Sequence, residues 1–166
     1  MKNIFLLLSL TLVVNTGFAQ SEKNVLGFDG IGDLKLDMLR PELEKMLNTK
    51  FTFKQIGITE SYMETIPVTY KGISFELELM GSDQQSVRLE GISTTSPVYK
   101  TKEGIGIGSD QQTIINAYEK HLLIIHKESI TFADIDNIRS SIVFEMKNNK
   151  VVKIRVEPTA AFRDRE

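Results

Sequence analysis

Residues Ile73-Ser-Phe-Glu-Leu-Glu-Leu79 alternate apolar and polar side chains without a break. A helix, with about 3.6 residues per turn, would scatter these apolar groups around its circumference, whereas a strand gathers them on one face. The segment therefore reads as a half-buried antiparallel strand with Ile73, Phe75, Leu77 and Leu79 toward a core. Ser74, Glu76 and Glu78 then point the other way. Lys71-Gly72 and Gly81-Ser82-Asp83 are turn-forming sequences at its two ends.

The same pattern predicts strands over 51–58, 64–70 and 86–93. A later group follows at 122–127, 130–133, 139–147 and 150–157, with Asn148-Asn149 as the turn between the last two. Ile31 to Leu36 reads as a further short strand, and residues 20–29 as a flexible amino-terminal segment. Leu39, Leu43, Met46 and Leu47 recur at helical spacing, which predicts a helix over 38–47 starting near Asp37 or Met38, since Pro41 fits only a first turn. A second helix is predicted over 110–120, with Ser109 and Gln112 as a capping box. Leu43 and Ile114 are expected in the core, with Glu44 and Gln111 in solvent.

The two helical segments align in one register. Leu34, Leu36, Leu43, Met46 and Leu47 fall on Ile105, Ile107, Ile114, Ala117 and Tyr118, and Ile73-Ser-Phe-Glu76 resembles Ile142-Val-Phe-Glu145. The expected organisation is a signal peptide at 1–19, the segment 20–29, repeat units at 30–97 and 98–157, and a polar tail at 158–166. The expected fold is α+β, with two tandem helix plus antiparallel-sheet units forming one curved sheet and helices on one side.

The signal-peptide expectation rests on Lys2, the apolar run Ile4 to Val14, and the small residues Gly17 and Ala19 before a cut at Gln20. The run is short for a spanning helix, which needs about 20 apolar residues. Removing residues 1–19 from the 166 leaves 147, a single domain's worth. With Lys2 gone, 19 basic residues stand against 22 acidic, a net charge of −3. That balance argues against nucleic acid and anionic lipid as partners. The chain has no cysteine, which excludes disulfides, thiol catalysis, cysteine-bound metal and a lipid anchor on cysteine.

Thr101-Lys-Glu-Gly-Ile-Gly-Ile-Gly-Ser109 leads into a helix and a polar stretch, and a closing strand pair ends in Asn149-Lys-Val-Val-Lys-Ile-Arg155. This pattern resembles exported bacterial proteins of the β-lactamase-inhibitory-protein type. It is similar also to the small outer-membrane assembly lipoproteins of the BamE kind. The resemblance covers residues 30–157 and implies a helix packed on an antiparallel sheet, present twice in the inhibitor. The lipoproteins' anchoring cysteine and the inhibitor's disulfides are absent here. No partner-contacting residue of either family matches, and none is carried over.

Catalytic and metal patterns are weak. Gly104-Ile-Gly-Ile-Gly108 has neither dinucleotide-loop nor Walker spacing and reads as a tight turn before the second helix. His121 and His126, with Asp134 and Asp136, have ligand-type side chains but no metal-site framework. Ser82 and Ser109 lack the Gly-x-Ser-x-Gly setting of a nucleophile elbow. No cofactor is expected.

The outward strand positions carry the functional expectation: Glu76, Glu78, Arg88, Glu90, Glu145, Lys153 and Arg155. Interleaved charge on an open sheet suits selective protein docking. The sequence thus points to an exported, periplasmic or secreted, non-enzymatic binding or envelope-associated protein. Its partner would be another extracytoplasmic protein, with no stable membrane anchor. A small-ligand carrier binding between the repeats is the alternative, and a carboxylate-based hydrolase comes third.

Overall fold

The computed structural model describes residues 24–52, 62–83, 85–133 and 139–159. The expected signal peptide, most of the strand predicted at 51–58, and Asp134 and Asp136 lie outside these residues, as does most of the tail.

The chain is mainly antiparallel β, which overturns the expected α+β arrangement of tandem helix-plus-sheet units. Three two-residue strands come first: β1 (Leu26–Gly27), β2 (Gly30–Ile31) and β3 (Leu34–Lys35). They form a small meander, order β1-β2-β3. The single strand predicted over Ile31 to Leu36 is thus a hairpin, because Gly32 turns the chain back at φ 61°. The predicted flexible segment at 20–29 already contains β1, with Leu26 buried.

Helix α1 (Arg40–Leu47) is followed by β4 (Tyr62–Tyr70), β5 (Ile73–Gly81) and β6 (Arg88–Thr94). Helix α2 (Gln111–Ala117) precedes β7 (Leu122–Ile125), β8 (Ser129–Ala133), β9 (Ser140–Lys147) and β10 (Lys150–Pro158). These seven strands make one antiparallel sheet, order β4-β5-β6-β10-β9-β8-β7. Hairpins follow the turn chemistry. Lys71 and Gly72, and Asn148 and Asn149, all take positive φ, the backbone of a tight two-residue turn between twisted strands.

Two physical reasons separate this architecture from the expected units. The helices are shorter than expected: α1 starts at Arg40 rather than near Asp37 or Met38, and α2 stops at Ala117 rather than 120. Asn48 adopts the left-handed conformation and ends α1 after eight residues, and α2 ends after seven. The expected single sheet also fails, because β1-β2-β3 form a sheet of their own beside the seven-stranded one, in which β6 pairs with β10 through Thr94↔Ile154, Ser93↔Arg155 and Ile92↔Val156. Among the described residues one core serves both halves. Leu43 of α1, Ile114 of α2, and Ile31 and Leu34 of the small sheet are all fully buried. They join Leu77, Leu79, Leu89, Phe144 and Ile154 of the large sheet in a single cluster. At its second-half end, Tyr118 stacks on Phe132 at 3.8 Å between ring centres. Its hydroxyl is held by Thr101 and Glu103.

Two local expectations also fail. The cap of α2 is Asp110, whose carboxylate accepts from the Thr113 N–H at 2.8 Å and from the Thr113 hydroxyl at 2.7 Å. Ser109 instead accepts from the Gly106 N–H. Glu44, expected in solvent, is 6% exposed. It accepts from Arg40 Nε at 2.8 Å and the Phe51 N–H at 3.0 Å on Oε1, and from Lys50 Nζ at 2.8 Å on Oε2. Helical periodicity placed it one residue from Leu43, but the chain after α1 folds back and covers it.

Candidate functional site: the outer sheet face

Strand alternation positions the site. With Phe75, Leu77 and Leu79 buried, Ser74, Glu76, Glu78 and Met80 of β5 lie on the face away from the core. Register carries this face across all seven strands. Pro67 pairs with Glu76, Glu76 with Ser93, Ser93 with Arg155, Arg155 with Val143, Val143 with Thr131, and Thr131 with Ile124. The seven charged residues predicted from the sequence occupy β5, β6, β9 and β10, and all are exposed or half-buried.

Two bulges adjust the pattern. Glu78 and Leu79 pair with Gly91 and Leu89, so Glu90 is an extra residue in β6. Val152 is extra in β10 in the same way and is left exposed. Gly91 leaves room for the Glu78 side chain to lie across β6, since a Cβ there would meet the Glu78 carboxylate at 2.8 Å.

The predicted residues pair among themselves in part. Lys153 Nζ contacts Glu76 Oε2 at 2.5 Å, and the Ser93 hydroxyl donates to the same oxygen at 3.2 Å. The Lys153 bond, followed by its charge, holds the Glu76 carboxyl below the usual range. Arg88 Nε lies 2.6 Å from Glu90 and 3.5 Å from Asp37. Arg155 Nε lies 2.8 Å from Glu157, which the sequence reading did not single out. Glu145 sits opposite Lys153 in register but makes no ion pair with it.

In front of β4, β5, β6 and β10 the face dips into an open hollow of about 280 Å3. Glu76 and Lys153 line it beside Pro67, Thr69, Ser74, Ser93, Thr94 and Thr95. Thr94 is committed to structure, donating to the Ser74 carbonyl and accepting from the Ser96 N–H. Sequence reasoning placed Ser74 outward but missed Thr69, Ser93, Thr94 and Thr95, because single threonines and serines on strands carry no signal. Register alone gathers them.

Among the described residues no group of three or more histidine or acidic side chains could hold a metal ion. His121 instead packs edge-on against Tyr118 and Phe132. No helix of the described residues is long and apolar enough to cross a membrane. Comparisons with protein families, with curated proteins and with solved structures give no match.

Proposed function

We propose that this chain is an exported, non-enzymatic binding protein that meets another extracytoplasmic protein through the outer face of its large sheet. The observation that carries the reading is the ladder of charged side chains on that face. It continues over four adjacent strands, while the helices and small sheet send their buried residues to the other side. Alternating charge on a rigid sheet suits selective docking.

The same geometry weighs on the alternatives. A carrier of apolar ligands calls for an apolar cleft between the halves. The hollow at the β6–β10 junction is open, and hydroxyls and an ion pair share its lining with Pro67, Val68 and Phe75. A carboxylate hydrolase calls for an acid with a raised pKa. Glu76, the carboxylate of the hollow, is shifted the other way.

Reversing Arg88, Lys153 and Arg155 to glutamate together tests the proposal. Each reversal breaks an ion pair with Glu76, Glu90 or Glu157, worth about 0.2–1 kcal/mol, and sets like charges together, so the comparison is made well below both melting transitions. The partner profile captured from an envelope extract should change while the variant stays folded. An identical profile would sink the reading.

A further inference from the structure

The sign of the partner can be read from how the outer face spends its charge. Each cation singled out on the face already lies beside a carboxylate of this chain: Lys153 by Glu76, Arg88 by Glu90 and Asp37, and Arg155 by Glu157, where the Arg155 Nε–H makes an ion pair but no hydrogen bond. Glu145 has no such cation among the described residues. Counting Glu76, Glu78, Glu90, Glu145 and Glu157 against Arg88, Lys147, Lys153 and Arg155, these strands offer outward one surplus negative charge.

The hollow sharpens this. Both contacts to Glu76, from Lys153 Nζ and the Ser93 hydroxyl, land on Oε2. Oε1 has no partner among the described residues, and the Glu76 side chain is 50% exposed. A carboxylate has about four lone-pair sites, so Oε1 can accept from a second cation while Oε2 stays bound to Lys153. The exposed Thr69, Ser74 and Thr95 side chains add hydroxyl oxygens within the same hollow, and Pro67 gives an apolar patch for a side-chain stem. A guanidinium has five donors in a planar fork and pairs well with clustered oxygen acceptors.

We propose that the partner presents a basic surface, and that one of its arginine side chains enters the hollow and pairs with Glu76 Oε1. This rests on the docking role of the outer face and names the chemistry of what docks. The pair is partly exposed, so losing it should weaken binding by up to about five-fold, the upper end for surface ion pairs.

The test measures fluorescence anisotropy of a labelled hexa-arginine peptide and a labelled hexa-glutamate peptide on the full mature chain. Three proteins are compared: wild type, Glu76→Gln and Glu119→Gln. Glu119 is exposed beyond α2 and makes the same change in net charge away from the face. The proposal expects hexa-arginine to bind wild type, to weaken several-fold on Glu76→Gln, and to be unchanged by Glu119→Gln. Equal weakening by both variants, preference for hexa-glutamate, or binding of neither peptide would overturn it. The docking role is judged separately by the partner profile of the triple reversal. A changed profile together with hexa-glutamate preference would keep the face and discard the basic partner.

Discussion

Glu44 is the residue whose environment departs furthest from its sequence context, and replacing it by glutamine puts a number on that departure. The carboxylate is buried at the end of α1 and receives Lys50, Arg40 and the Phe51 N–H. These contacts, led by Lys50 and followed by Arg40, lower its pKa from 4.5 to about 2. At about 1.4 kcal/mol per pKa unit, the shift corresponds to an upper bound on the order of 3 kcal/mol. Lys50 is 84% exposed, so solvent screening brings the contribution nearer to about 2 kcal/mol. The folded pKa is depressed, so this stability is fully present above the ordinary value of 4.5 and is lost as pH falls toward about 2. Urea denaturation at a series of pH values is the assay. Glu44→Gln should be less stable than wild type by about 2 kcal/mol near neutral pH, with a gap that closes below about pH 4. A variant as stable as wild type at neutral pH, or a gap that does not change with pH, would refute the reasoning.

Leu43→Ala and Ile114→Ala should each cost about 2–5 kcal/mol in the same assay, because both side chains are fully buried in the shared core. Aspartate tolerated at either position without loss of melting temperature would contradict that core. Asp110→Ala should cost about 0.5–2 kcal/mol by removing the cap of α2, while Ser109→Ala should cost less. A larger loss at Ser109 would restore the capping box read from the sequence. Mass spectrometry of the exported protein should find its amino terminus at or near Gln20. An intact Met1 terminus in the extracytoplasmic fraction would count against export with cleavage.

The strands were legible because alternation is local. The segments 64–70, 73–80, 139–147 and 150–157 match β4, β5, β9 and β10 to within a few residues. Helix existence and the buried Leu43 and Ile114 were legible for the same reason. The architecture was not. Which strands meet at the seam, and that the first three strands form a sheet of their own, depends on contacts between residues far apart in the chain, such as β6 with β10. Short-range reading also failed at Glu44, where the covering residues Lys50 and Phe51 come after the helix. At the candidate site, parity along each strand identified the charged positions. The hollow itself needs cross-strand register to bring Thr69, Ser74 and Ser93 beside Lys153.

Site-specific photo-cross-linking tests the docking account most directly. A photoreactive side chain is placed at Thr65 or Thr69 on the outer face, or at Glu42 of α1 or Gln112 of α2 on the opposite side; all four residues are exposed. After irradiation in the native envelope, the account predicts one discrete protein adduct from Thr65 and Thr69 and none from Glu42 and Gln112. Adducts from the helix positions alone, or equal adducts from both sides, would contradict it.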